Sequence, residues 1–199
     1  HLQRACPGTS YAILEARETL GGTWDLFRYP GIRSDSDMYT LGYPFKPWRE
    51  AQSIASGEAI LAYIRETAVE NGIEEKITFN TRVTAADWST DDQVWTLTVE
   101  QNGETRTMLA SFLYACAGYY DYDKGHAPPF PGVDTFDGTI VHPQFWPDDL
   151  DYEGKRVVII GSGATAVTLV PAMASATTHV TMLQRSATWI SAVPSRDKK

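Results

Sequence analysis

Arg156-Val157-Val158-Ile159-Ile160-Gly161-Ser162-Gly163-Ala164-Thr165-Ala166 is the stretch on which the fold turns. The aliphatic run reads as a strand, and the G-x-G-x-x-A after it reads as a tight turn that opens a helix. An apolar helix to about Ala174 and a further strand, His179 to Leu183, complete a βαβ unit. In such a unit Gly161 permits the turn, Gly163 lets backbone approach a pyrophosphate, and Ala166 allows close helix-strand packing. Ser162, Ala164 and Thr165 complete the loop as candidate cofactor-binding positions at the helix N-terminus. The plain alternative is an ordinary strand-turn-helix corner. About 20 residues further on, where an NAD-binding unit carries an acid, stands Gln184-Arg185-Ser186. A carboxylate there would repel a 2′-phosphate, whereas a guanidinium binds it, so Gln184 and Arg185 favour NADP(H) over NAD(H).

Working outward, His1-Leu2-Gln3-Arg4 reads as the last turn of a helix stopped by Cys6-Pro7-Gly8. Ser10 to Glu15 reads as a short buried strand ending in an acid, either a ribose-binding carboxylate or an ordinary strand-end residue. A phosphate loop about 20 residues before Glu15 falls ahead of His1, so a first strand and its GxGxxG loop are expected outside this sequence. Ile60, Leu61, Ile64 and Ala68 predict a helix over Gly57 to Asn71, with Ser56 as N-cap and Gly72 as stop. Three strand-like runs, Ile77 to Trp88, Val94 to Glu100 and Thr105 to Leu113, turn at Ser89-Thr90-Asp91-Asp92 and Asn102-Gly103 and predict an antiparallel meander. Tyr114 to Trp146, rich in Pro and Gly, predicts an ordered connection with little regular structure. The expected class is α/β with two dinucleotide-binding, Rossmann-like domains, both incomplete, the first carrying the antiparallel meander. Their expected bounds are 1–135 for the first, 136–153 for a linker and 154–199 for the second.

Composition narrows the partners. The 199 residues are 43% hydrophobic and 21% charged, enough to bury a core. The net charge of -8, from 17 basic and 25 acidic residues, argues against a nucleic-acid binder or a polybasic membrane-surface protein. No apolar run approaches the roughly 20 residues of a bilayer span. Cys6 and Cys116 offer neither a disulfide framework nor a CxxC pair for metal or redox work, which fits a reducing cytoplasm.

Phe136-Asp137-Gly138-Thr139-Ile140-Val141-His142-Pro143-Gln144-Phe145-Trp146-Pro147 matches FxGxxxHxxxWP and so resembles the fingerprint of the Baeyer-Villiger monooxygenases, the class B flavoprotein monooxygenases. Given this composition, a chance match is on the order of one in ten thousand or less. Gly21 to Asp35, GGTWDLFRYPGIRSD, resembles the flavin-proximal segment of the same family. The resemblance implies that NADPH reduces FAD, that the reduced flavin captures O2 as a C4a-peroxyflavin, and that a ketone or a soft sulfur is oxygenated. Esters, lactones or S-oxides would result, with thioethers or thioamide-like compounds as the sulfur substrates.

It also implies residue roles. Glu15 would bind the FAD ribose; Gly22, Thr23 and Trp24 would pack on the flavin side; Val83 would lie at the adenine. Arg33, Ser34 and Asp35 would sit where flavin and nicotinamide meet, with Asp35 placed to influence the oxygenating flavin. His142 and Trp146 would couple NADP binding and domain movement to flavin chemistry. The plain readings are a core aromatic for Trp24, a surface charge pair for Arg33 and Asp35, and a hydrogen-bonded structural residue for His142. Tyr119 and Tyr120 resemble the segment that closes over FAD. The family's catalytic arginine is expected past Lys199, and the isolated chain is expected to be marginally folded and to bind FAD poorly. The alternatives are a flavin-containing N- or S-oxygenase, a disulfide reductase disfavoured by the missing CxxC, and an inactive truncated remnant.

Overall fold

The computed structural model describes residues 1–192 and 194–196. Along the chain run the short helix α1 (Leu2–Ala5), strand β1 (Ile13–Leu14), short helices α2 (Thr23–Leu26) and α3 (Met38–Leu41), and the longer helix α4 (Gly57–Glu70). Strands β2 (Ile77–Thr78), β3 (Thr81–Ser89), β4 (Val94–Gln101) and β5 (Glu104–Ala110) follow, then β6 (Arg156–Ile160), α5 (Ala164–Met173) and β7 (His179–Leu183). The chain divides into two compact units, one of residues 1–20 and 64–119, the other of residues 21–63 and 120–199.

In the first unit β3, β4 and β5 form the expected antiparallel meander. Asn102 and Gly103 both take positive φ, +52° and +81°, as a tight hairpin turn matched to strand twist demands. Leu97 and Val99, two apart on β4, are buried on one face, as the period of a strand requires. The run Ile77 to Trp88 is not one strand. Asn80, with φ +53°, breaks it, and its N–H donates to the Arg17 carbonyl. Asn tolerates the left-handed region better than its neighbours, so the kink falls there. The severed β2 pairs parallel with β1, Ile13 with Ile77 and Leu14 with Thr78. The expected buried strand from Ser10 to Glu15 likewise contracts to β1, with Ile13 37% exposed. Its ladder partner β2 is two residues long, and beyond it the pairing continues only through Glu15, whose N–H donates to the Thr78 carbonyl at 3.0 Å.

Helix α4 starts and stops as its sequence predicts. Ser56 Oγ accepts the Ala59 N–H at 3.2 Å, and Gly72 leaves the helix with φ +58°.

In the second unit β6 and β7 pair in parallel from Arg156 with His179 to Ile160 with Leu183. The α5 crossover between them completes the predicted βαβ unit. Leu169 and Met173 of α5 form a buried cluster with Phe27 and Tyr29, lined by Ile32, Trp146, Tyr152, Val157, Ile159 and Val180. Pro171 sits in the last turn of α5, where it supplies no N–H to the helical ladder. The connection from Tyr114 to Trp146 contains only 3-10 turns at Val133–Thr135 and Pro143–Phe145, as its composition predicts.

Candidate functional site

The glycine turn between β6 and α5 leaves an open surface. Gly161 has φ +128°, a conformation suited to glycine, and its N–H extends the ladder to the Leu183 carbonyl at 2.8 Å. A Cβ placed on Gly161 or on Gly163 would meet nothing within 4 Å. Gly163 is the N-cap of α5 and supplies no side-chain cap, so the first-turn amides face outward with the positive end of the helix. Ala164 is exposed, Thr165 half-buried and Ala166 buried at 4%, which matches a tight helix-strand approach at that last position. Ser162 turns its hydroxyl the other way: Oγ donates to the Ser186 carbonyl at 3.1 Å and pairs with Thr188 Oγ1 at 2.9 Å. Those bonds tie the glycine turn to the segment that carries Gln184 and Arg185, both exposed.

The Gly21 to Asp35 segment lies on α5. Phe27 and Tyr29 meet edge to face at 5.8 Å and bury against Leu169 and Met173. Gly31, with φ +76°, comes so close to α5 that a Cβ would sit 2.7 Å from Ala172 Cβ. The Tyr29 side chain hydrogen-bonds Thr165 in the first turn of α5, and the Asp35 charge acts on the same phenol. Burial first, and Asp35 second, push the Tyr29 phenol above its ordinary value against the opposing Thr165 bond. The Asp35 charge is thus felt at a phenol that meets the first turn of α5. Arg33 and Asp35 are exposed, while Ser34 is buried at 3%. Ser34 Oγ accepts the Ala55 N–H at 3.0 Å, and its own N–H donates to the Ala55 carbonyl at 2.8 Å. Gly22 is the N-cap of α2 and Thr23 and Trp24 begin that helix, all three half-buried.

The fingerprint residues have distinct surroundings. The Phe136 ring lies over Gly138, where a Cβ would come within 2.5 Å of it. The His142 ring lies over Gly125 in the same way, a Cβ there falling 2.5 Å from Nδ1. His142 Nδ1 accepts the Gln144 N–H at 3.2 Å and so caps the short turn Pro143–Phe145. Trp146 packs edge to face on Tyr152 and lines the cluster that holds Tyr29 and Leu169.

Two candidates belong to the first unit. Glu15 follows β1, and its Oε1 accepts the Arg17 N–H at 2.9 Å. Its carbonyl accepts the Thr81 N–H at 2.9 Å, which sets Glu15 beside the start of β3. Val83, two residues on, is 40% exposed at the register shift between Val83 and Ala85. Among the described residues, no group of three His, Cys, Asp or Glu side chains is arranged to hold a metal ion, and no helix is long and apolar enough to cross a membrane.

Sequence reasoning missed Tyr29, Gly125 and Gln144. Their partners Thr165, His142 and Asp121 stand in other segments, so no spacing rule points to them. Asp25, buried at 5% in α2, was also missed. An acid in the first turn of a helix is a common surface feature and carries no signal of burial.

Comparison with known proteins places this arrangement. FAD-containing monooxygenase EthA of Mycolicibacterium smegmatis is 60% identical over 195 residues, covering 98% of this chain and 40% of its own length. The chain thus spans about 40% of the length of the curated relatives it matches. Among solved structures, the oxidized steroid monooxygenase bound to NADP aligns with a TM-score of 0.79 and 33% identity over 94% of this chain and 36% of that one. The OTEMO complex with FAD and NADP aligns with a TM-score of 0.74 and 31% identity over 92% of this chain and 36% of that one. The α/β architecture expected from the sequence is that of these structures. The sequence model of the family described as FMO-like, flavin-binding monooxygenase-like, matches residues 40–197, and the chain belongs to that family.

Proposed function

We propose that the complete reading frame carrying this chain encodes an NADPH- and FAD-dependent monooxygenase of the Baeyer-Villiger type. It inserts one oxygen atom of O2 beside a ketone carbonyl or adds it to a thioether- or thioamide-like sulfur. The carrying observation is that half-buried fingerprint Trp146 packs on the same cluster in which flavin-side Phe27 and Tyr29 are buried with Leu169 and Met173 of α5, the helix that the glycine turn opens. Both pieces of the resemblance therefore converge on one nucleotide-binding element.

The residues present fit the two cofactors named in the relatives' structures. An open turn at Gly161 and Gly163 and the uncapped start of α5 suit a pyrophosphate. Arg185, exposed beside that turn, suits a 2′-phosphate, with Gln184 next to it. Glu15 has one carboxylate site engaged by Arg17 N–H, which leaves acceptor capacity for the ribose hydroxyls of FAD, and exposed Val83 suits contact with the adenine. When bound, the nicotinamide supplies hydride and the flavin supplies oxygen activation. The chain's own part is positional. Tyr29 holds the Gly22-Thr23-Trp24 and Arg33-Ser34-Asp35 segment against Thr165, which sets the Asp35 carboxylate near the nucleotide turn. Trp146 closes the same core against water, and His142 orders the linker that joins the two dinucleotide-binding domains, for which we retain bounds of 1–135, 136–153 and 154–199. We assign the protein to the cytoplasm on its cysteine usage.

The test is expression of the complete reading frame, followed by NADPH oxidation with ketone and thioether panels and product analysis. Oxygen-dependent ester or S-oxide formation is expected. Arg185→Ala should lower the preference for NADPH over NADH roughly 10- to 100-fold, the worth of a charge-assisted hydrogen bond. A yellow protein that consumes NADPH without transferring oxygen to any member of either panel would overturn the assignment.

A further inference from the structure

Gln144 occupies an unspecified position of the fingerprint, yet it is buried at 5%, deeper than His142 two residues before it. Its Nε2 donates to the Asp121 carbonyl at 2.6 Å, while its backbone N–H donates to His142 Nδ1 at 3.2 Å. Because Nδ1 accepts, the neutral imidazole carries its proton on Nε2, and the ring presents a donor on its other side. Asp121 starts a turn in which its Oδ1 accepts the N–H groups of Asp123 and Lys124, and that turn delivers Gly125 against the imidazole face. Between them, Tyr122 brings its hydroxyl within 3.6 Å of where a Cβ on Gly22 would stand. One short segment thus meets the fingerprint at two points and brings the Tyr122 hydroxyl beside the flavin-side Gly22.

We propose that Gln144 is a positioning residue for the oxygenation reaction. It acts by clamping Asp121, which holds Gly125 under the His142 ring and so keeps Nδ1 turned to the Gln144 N–H, the bond that makes the imidazole the Nε2–H tautomer. The same clamp sets the 121–125 turn against Gly22, so the state of the fingerprint is transmitted to the flavin side. This functional consequence rests on the monooxygenase reading. The tautomer assignment does not, since it follows from the hydrogen bonds of the chain itself.

The experiment uses the product of the complete reading frame, labelled with 15N-histidine, with the His142 signals assigned from their loss in His142→Ala. The wild type should show an unprotonated, hydrogen-bonded Nδ1 and a protonated Nε2. Gln144→Met preserves volume and removes the donor. It should shift the His142 signals toward a tautomer mixture and lower oxygenated product per NADPH about fivefold, the factor for one net hydrogen bond. FAD content should not change. Gly125→Ala reaches the same ring from the other side and should move the same signals even where Gln144→Met fails to accumulate. Unchanged His142 signals in a folded Gln144→Met protein, or a wild-type ring protonated on Nδ1, would overturn the proposal. Shifted signals in a protein without oxygenase activity would preserve the clamp and count against the monooxygenase reading alone.

Discussion

The glycines of the β6–α5 turn and those of the aromatic-rich segments lead opposite lives. At Gly161 and Gly163 a side chain would find open space, whereas at Gly31, Gly125 and Gly138 it would collide with a helix, an imidazole and a phenyl ring of the same chain. A filled glycine exists for the fold around it, and its replacement is felt as overpacking. An open glycine has no neighbouring side chain to accommodate. At Gly163, whose φ is -76°, replacement is therefore felt by whatever approaches from outside, whereas at Gly161 the φ of +128° adds backbone strain. The fingerprint glycine Gly138 is of the first kind and the turn glycines Gly161 and Gly163 are of the second. One residue type therefore reports packing in one region and an open approach in the other.

Three substitutions break or sharpen this contrast. Gly31→Ala combines a positive φ of +76° with a contact 2.7 Å from Ala172 Cβ, and should cost about 2–4 kcal/mol of stability, read by urea unfolding. A loss below about 1 kcal/mol would show that α5 can move away, and would place Gly31 among the open glycines. Gly163→Ala should behave in reverse. Its φ of -76° suits any residue, so stability should fall by less than about 1 kcal/mol, the difference between glycine and alanine at an N-cap. Binding of NADP+, measured by calorimetry, should weaken roughly tenfold or more as the methyl occupies the phosphate approach.

Tyr29→Phe has the smallest expected effect. Near neutral pH it should cost about 1 kcal/mol through the lost bond to Thr165. Its pH signature is more informative. Because the folded-state phenol is raised above 10.0, the native chain holds its proton where the unfolded chain has released it. Stability contributed by Tyr29 is therefore complete below pH 10.0 and is lost as pH rises through the raised folded value. Tyr43, raised chiefly by burial, acts in the same direction. Unfolding curves from pH 8 to 11 should lose stability less steeply in Tyr29→Phe than in the wild type. Equal slopes would show that the phenol is not buried against α5.

Much of the fold was legible. Ser56 and Gly72 bound α4, Asn102 and Gly103 turn β4 into β5, and the aliphatic run before Gly161 forms β6. The split at Asn80 was not legible, because Ile77 to Trp88 has strand propensity throughout and the break depends on Arg17 and Glu15 receiving the backbone of residues 80 and 81. For the candidate site, residue type and spacing located the glycine turn and the fingerprint. They said nothing of Ser34 being committed to Ala55, or of Ser162 being committed to Ser186 and Thr188.

What the sequence by itself determined was therefore the class of each local piece: a glycine turn between strand and helix, a meander, an ordered proline-rich connection and a family fingerprint. These follow from hydrophobic period and turn chemistry, which are properties of residues near one another in the chain. Only the tertiary structure decided that Tyr29 meets Thr165, that His142 rests on Gly125, and that Gln144 clamps Asp121. Such contacts depend on the shape left between packed segments, and that shape exists only once the whole core has closed around them.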